Sequence, residues 1–259
     1  MGNYLIDTMT WSYSRIKCYD QCPYQFYLKY IQCQDEAPMF FASFGSLVHN
    51  IFAQYYSGEI TAADAVDEYM VRFTSEVRGF APSPEIRTSY FIGGLEAIKR
   101  LAPIDGEILS VERRVRFDID GRPFIGFVDM ILRDAEGNLC ILDHKSRNLK
   151  PRSKRKKPTR TDEELDDYLR QLYLYAIPVK EIFKTYPTYL AFNCYRQEQD
   201  TVIKEPFREQ DFEAVKVWAT STIEAIRREE QWRPKLDFWQ CKYLCPFCNT
   251  CEYATMTTF

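Results

Sequence analysis

The chain has 259 residues, with 34 basic against 37 acidic side chains, a formal net charge of −3, nine cysteines and two histidines. Hydrophobic residues at 46% and charged residues at 27% exclude disorder, collagen and coiled coil as whole-chain descriptions. No apolar run approaches the roughly 20 residues of a membrane helix, and the start, MGNYLID, lacks a basic-then-apolar leader, so the expectation is a soluble, cytoplasmic protein with no membrane partner.

In chain order, Ser12 or Ser14 caps a helix expected to run through Ile31, rich in aromatics (Tyr19, Tyr24, Phe26, Tyr27, Tyr30). A short helix is expected over 46–57, ending near Gly58. Thr61 caps 62–78, and Ser83-Pro84-Glu85 opens a helix to about Leu101. The stretches 107–118, 122–133 and 138–144 are β-branched or apolar and read as strands, divided by Asp120-Gly121 and by DAEGN at 134–138. Helix returns over 162–180. Strands follow at about 187–196 and 201–207, then a helix over 208–229 and a cysteine-rich tail. The order predicts a mixed α/β core with a helical front portion.

Charge is unevenly placed. Residues 147–160 hold Arg147, Lys150, Arg152, Lys154, Arg155, Lys156, Lys157 and Arg160 without an acid; removing these eight leaves 26 basic against 37 acidic, −11 for the remainder. An acidic run (Asp162, Glu163, Glu164, Asp166, Asp167) follows directly. Two readings stand: a solvated loop whose neighbouring blocks cancel, or a flexible basic arm beside a phosphate track.

The hairpin at 122–145 carries the most informative geometry. A turn centred on Glu136 sets Asp129 opposite Asp143, with Cβ atoms roughly 4.5–5.5 Å apart on one sheet face. Lys145, two residues on, points to that face as well. Two acids buried together are costly unless something positive lies between them. A divalent cation with oxygen ligands answers that need, and the lysine then orients a water or stabilises charge on a phosphate. The alternative is a pair of strand-end acids in solvent with Lys145 as a surface partner.

Four cysteines crowd the tail WQCKYLCPFCNTCEY: Cys241, Cys245, Cys248 and Cys251. In a reducing compartment such a group reads as metal ligands rather than a disulfide framework. One option is a local zinc site of four thiolates, although the spacing is tighter than that of two separated knuckles. The other is a cluster fed partly from a distant residue. Cys18, Cys33, Cys140 and Cys194 read as buried small hydrophobes.

The segment GFVDMILRDAEGNLCILDHKS resembles the core of the PD-(D/E)xK nuclease superfamily in its RecB-like branch, with Asp129 in the "G-x-x-D" strand and Asp143 and Lys145 in the "D-x-K" strand. Further motifs follow the same order. SYSRIKCYDQCPYQF resembles the opening "S-x-S…CP-x-x-F" helix, FGSLVHNIF the "G-x-x-x-H" helix, VERRVRF the preceding strand with its glutamate, and QLYLYA at 171–176 the "Q-L-x-x-Y" helix. The resemblance implies a restriction-endonuclease-like α/β fold: a mixed sheet flanked by helices, an N-terminal helical portion and a C-terminal cysteine-rich staple. It implies one nuclease domain over 1–259, mainly helical over 1–105, with the catalytic core at 106–230 and the tail at 231–259 packing back on the N-terminal helix.

By the same resemblance, Asp129, Asp143, Lys145 and Glu112 are catalytic. His49, Asp129, Asp143 and the backbone carbonyl of His144 hold Mg²⁺ or Mn²⁺. Gln171 and Tyr175 touch substrate, together with Arg152, Lys154, Arg155, Lys156 and Lys157 of the basic segment. RecB-like nucleases of the AddB type and CRISPR adaptation nucleases bind a 4Fe–4S cluster through one cysteine of the opening helix and three of the tail. Here that implies Cys22, Cys241, Cys245 and Cys251, with Cys248 as an alternative and Zn²⁺ as the alternative metal. The tail has one residue more in its first gap than that family's pattern. The implied function is a metal-dependent DNA exonuclease acting on single strands or ends, in recombination, repair or processing, in a bacterial, archaeal or virus-infected cell. The contrasting reading is a non-catalytic nucleic-acid-binding adaptor with a structural zinc or iron–sulfur site.

Overall fold

Strands Gly106–Ile119 (β1), Arg122–Asp134 (β2), Leu139–His144 (β3), Tyr189–Asn193 (β4) and Val202–Pro206 (β5) lie side by side in chain order as one sheet. The computed structural model describes residues 4–199 and 201–254; the first three residues of the opening segment and the last five of the tail lie outside them. The β3–β4 pair is parallel and the other pairs are antiparallel. Asp120 and Gly121 both take positive φ, +50° and +76°, the pairing a two-residue hairpin turn requires. Asp118 Oδ1 accepts the Gly121 N–H at 2.7 Å and closes it. The second turn closes where Asp134 accepts the Asn138 N–H at 2.8 Å, and the expected register holds: Met130 faces Leu142 and Ile131 faces Ile141.

Alternation along these strands divides the sheet's faces. Ile131, Ile141 and Phe192 enter the main core with residues of helices Arg160–Phe183 (α7) and Glu209–Arg228 (α8), while Met130, Leu132, Cys140, Leu142 and Ala191 form a small cluster on the other face. The parallel step from β3 to β4 needs a long crossover, and α7 supplies it. Three front helices, Phe40–Tyr56 (α4), Ala62–Glu76 (α5) and Pro84–Lys99 (α6), share a second core around Phe40, Phe44, Tyr69 and Phe73. Thr61 and Ser83 cap α5 and α6 as expected.

Two elements depart most from the expected boundaries, and β4 is also shorter than the expected 187–196. The opening helix does not run unbroken to Ile31; it divides into Tyr13–Gln21 (α2), Pro23–Phe26 (α3) and a π-helical turn Tyr27–Ile31, after a single turn at Tyr4–Asp7 (α1). Pro23 lacks an N–H and pushes the residue before it out of helical geometry, so Cys22 is extended at φ −160°, ψ 109°. Helix α4 starts at Phe40 rather than near 46, because Phe40, Phe44, Leu47, Val48, Ile51 and Phe52 are all buried. Their packing outweighs the helix cost of Gly45.

The chain ends meet. Trp11 bonds Pro123 and Ile125 of β2 at 2.8 and 2.9 Å. Trp232 stacks on Phe26 and Tyr27, Tyr24 donates to Glu252 at 2.7 Å, and Lys235 Nζ donates to the Asp20 carbonyl at 2.7 Å.

Candidate active site

Strands β2 and β3 stop pairing just beyond Met130 and Leu142, and the polar residues gather at that end. Asp143, at the next position on β3, is buried. Its Oδ2 lies 2.7 Å from Lys145 Nζ but makes no hydrogen bond of good geometry, so it retains capacity for a cation. Asp129 Oδ2 accepts the backbone N–H of His144 at 2.9 Å. On β1, Val111 faces Met130 and Arg113 faces Val128, which leaves Glu112 level with Asp129. Glu112 has φ +45°, a left-handed conformation that costs of order 1–3 kcal/mol for such a residue and turns its side chain out of the strand's regular alternation.

Helix α4 brings His49 from the other side. Its Nε2 is 2.7 Å from the His144 carbonyl oxygen, and its Nδ1 is 3.3 Å from Asp129 Oδ2. Burial lowers the His49 pKa, so the ring is neutral near pH 7. A carbonyl only accepts, hence Nε2 carries the proton and Nδ1 presents a lone pair to a carboxylate oxygen. Two acceptors at that distance call for a shared cation or proton. Burial, then the charge of Asp143, pushes Asp129 well above the usual carboxylate range, against the His144 N–H and Lys145, which pull it down. Burial and Asp143 raise Glu112 as well. Ligand atoms of His49, Glu112 and Asp129 lie within 4.8 Å of one another, a group that fits a divalent ion with mixed oxygen and imidazole ligands.

Lys145 is held from several sides. Burial lowers its pKa, but the adjacent Asp143 carboxylate and the charge of Asp129 outweigh that, so the pKa is raised and Lys145 stays protonated. Its Nζ donates to Gln171 Oε1 at 3.2 Å and lies 5.4 Å from the Tyr168 ring centroid. Gln171 Nε2 donates to Tyr175 Oη at 3.3 Å. Tyr175 itself is buried, which places it to hold Gln171 rather than to meet substrate as expected. Its ring occupies the space above Gly126, where a Cβ would stand 2.4 Å from Tyr175 Cε1; this close approach accounts for the glycine three residues before Asp129.

Two open depressions flank this centre. One, about 520 Å³, is lined by Gly45, Ser46, His49, Asn50, Ala53 and Glu112. The other, about 470 Å³, lies between α2 and α7 and includes Lys17, Lys145, Arg147, Tyr168 and Gln171. The basic segment divides. Lys154, Arg155, Lys156 and Lys157 are exposed. Arg152, expected at substrate, is instead committed to Glu205 at 2.9 Å and Asp166 at 2.5 Å, two acids that β5 and α7 place beside it.

Asn193 went unnoticed in the sequence. Its Nδ2 is 3.1 Å from His144 Nδ1, and Phe52 and Tyr56 pack against the same ring, so the residue whose N–H and carbonyl meet Asp129 and His49 is fixed from behind. A polar residue ending the apolar run YLAFN was its signal.

The tail cysteines share one cavity with the opening helices: Cys22, Cys241, Cys245, Cys248 and Cys251 all line it. Burial, then the charges of Cys22, Cys251 and Cys241, raises Cys245 to about 12; Cys251 is raised by burial and by Cys22 and Cys241. Cys241 and Cys248 both also line the neighbouring surface depression. Cys22 Sγ accepts the Gln25 N–H at 3.4 Å, at the break that Pro23 creates. Cys33, expected to be buried, is exposed with φ +51° in the loop after the π-helical turn.

The family model of the PD-(D/E)XK nuclease superfamily matches residues 10–254, and the chain belongs to that superfamily. Its five-stranded mixed sheet with flanking helices is that superfamily's restriction-endonuclease-like fold, and membership makes the chain a nuclease with DNA as the implied substrate. Sixteen chains of solved structures also match. The one described as "Crystal structure of SSO0001" is 17% identical and covers 93% of this chain and 95% of its own, with a TM-score of 0.30, too distant to bear on function. No curated protein matches. Among the described residues, no helix is long and apolar enough to cross a membrane.

Proposed function

We propose that the protein is a metal-dependent DNA exonuclease of the RecB-like branch, one nuclease domain acting in the cytoplasm on single strands or DNA ends during recombination, repair or processing. The observation that carries this reading is the lone-pair contact between His49 Nδ1 and Asp129 Oδ2, with Glu112 beside it and the Asp143–Lys145 ion pair next to it.

His49 Nδ1, Asp129 and Asp143 are the proposed ligands of Mg²⁺ or Mn²⁺, with Glu112 completing the acidic wall; the His144 carbonyl, expected as a further ligand, here meets His49 Nε2 and orients the ring. A divalent cation held there supplies Lewis-acid stabilisation of the phosphoryl oxygens and acidifies the attacking water. Lys145 remains an ammonium, aimed by Asp143 and Gln171, and offsets the charge that builds on the phosphate. Tyr175 positions Gln171, and Lys154–Lys157 grip the strand's phosphates.

For the cysteines we propose a 4Fe–4S cluster on Cys22, Cys241, Cys245 and Cys251, tying the α2–α3 break to the tail. The cavity that all five cysteines share supports a cluster there, with Cys248 as the alternative tail ligand.

Digestion of end-labelled single- and double-stranded DNA with Mg²⁺ or Mn²⁺ tests the activity. Release of mononucleotides or short products from ends supports the exonuclease reading; internal cuts in circular single strands contradict it.

A further inference from the structure

The outward face of α4 runs from the metal centre to an exposed aromatic cluster. Met39, Ala42, Ser46, His49 and Ala53 recur every three or four residues and so share one face. Ten residues from His49 back to Met39 span about 15 Å of helix. In a chain with 37 acids, α4 itself contributes none to this face between Met39 and Ala53; Glu112 stands at its far end in the metal centre, and the nearby α5 acids Glu68 and Glu76 are paired with Arg72, which also bonds Asn50.

At the Met39 end a depression of about 340 Å³ opens, walled by Pro38, Met39, Phe80, Phe238 and Lys242 among others, and Lys242 is the charged residue of its wall. Phe80 is 70% exposed and Trp239 56%. Phe80 stacks on Tyr243 at 6.3 Å and 12°, Trp239 lies 4.8 Å from Tyr243, and Lys242 Nζ is 5.1 Å from the Phe238 ring centroid. Gly79 sets Phe80 in place: at φ +93° it lies so close to Pro38 and Phe40 that a Cβ would meet their backbone at 2.5 Å.

Single exposed aromatics are ordinary, but a contiguous group marks a contact surface. Exposed ring faces with a lysine, at the end of a track along a helix face that contributes no acid of its own, match the chemistry of a single nucleic-acid strand, whose bases stack and whose phosphates seek cations. We propose that this track carries the strand on the α4 side of the metal centre, with bases stacking on Phe80 and Trp239 and a phosphate near Lys242. The proposal rests on the nuclease reading of the centre.

The test is the affinity of the full chain for fluorescent oligothymidylates of about 4 and about 20 nucleotides, with Ca²⁺ present. The wild type binds the longer strand more tightly and its Trp239 fluorescence is quenched. Phe80→Ala and Trp239→Ala each remove roughly tenfold of affinity for the longer strand, and Phe80→Tyr, which keeps a ring, restores it. Unchanged affinity for the longer strand, or equal loss for both lengths, overturns the proposal. So does a wild-type dimer that Phe80→Ala dissociates without changing DNA affinity, which assigns the face to a second copy. Cleavage by a wild type whose binding ignores Phe80 leaves the nuclease reading standing and sinks the track. Ring-dependent binding by a protein that never cleaves keeps the track and sinks the nuclease reading.

Discussion

His49 Nδ1 lies 3.3 Å from Asp129 Oδ2 while Nε2 of the same ring lies 2.7 Å from the carbonyl oxygen of His144. One ring thus ties helix α4 to both strands of the acidic hairpin, and it leaves an imidazole lone pair facing a carboxylate. Without a cation, that contact is relieved by protonating Asp129, whose pKa burial and Asp143 hold well above its ordinary value. The folded state therefore binds this proton more tightly than the unfolded chain does. Its stabilising effect is complete below about pH 4 and is lost as pH rises through the raised Asp129 range. The metal-free protein should lose stability as pH climbs through that window, and Asp129→Asn should flatten the loss. At pH 7, Mn²⁺ at one hundred times its dissociation constant should return about 2.7 kcal/mol to the wild type and far less to Asp129→Asn. Thermal melts across pH, with and without Mn²⁺, provide the check.

Gly126 and Tyr175 are matched in shape. Gly126→Ala places a methyl 2.4 Å from the Tyr175 ring, and overpacking of this kind costs about 1–3 kcal/mol. Because Tyr175 holds Gln171 and Gln171 holds Lys145, kcat should fall more than KM rises. Tyr175→Phe keeps the ring and loses the hydroxyl, so it should lower kcat with little change in stability. Denaturant titration and steady-state kinetics separate the two effects.

Asp162 anchors the basic segment. Its carboxylate accepts from Ser153 N at 2.7 Å, Ser153 Oγ at 2.6 Å and Thr159 N at 2.7 Å, and these bonds hold its pKa below the ordinary range. With the folded value depressed, this stabilisation is present above about pH 4 and is lost as pH falls below it. Asp162→Asn should blunt acid unfolding and speed amide exchange over 153–159. Thr159→Ala, which removes the other half of the capping box, should cost about 1 kcal/mol.

Protein purified without oxygen should be brown and absorb near roughly 400 nm. Cys22→Ser, Cys245→Ser and Cys251→Ser should lose the colour and bound iron, and comparing Cys241→Ser with Cys248→Ser tells which of those two is the remaining ligand. A colourless wild type with one zinc per chain would replace the cluster with a zinc site.

Much of this was legible in the chain itself, and the rest was hidden for identifiable reasons. The hairpin register followed from the turn at Glu136 because alternation leaves a strand pair few choices. Local signals also marked the caps at Thr61 and Ser83 and the crossover helix. The break at Cys22 was announced by Pro23, yet the aromatic run beyond it read as continuous helix. The geometry of Glu112 leaves no trace in an alternation pattern, since a positive φ at a non-glycine residue carries no sequence signal of its own. Asn193 and Glu205 act on His144 and Arg152 across about fifty residues of sequence, through sheet neighbours that only the fold brings together.

The most direct measurement is Mn²⁺-dependent hydrolysis of single-stranded DNA by the wild type, Asp143→Asn and Lys145→Ala, paired with calorimetric Mn²⁺ titration of each. The account predicts cleavage by the wild type alone, Mn²⁺ affinity weakened at least about tenfold in Asp143→Asn, and Mn²⁺ binding retained in Lys145→Ala with cleavage lost. Undiminished cleavage in either variant would contradict it.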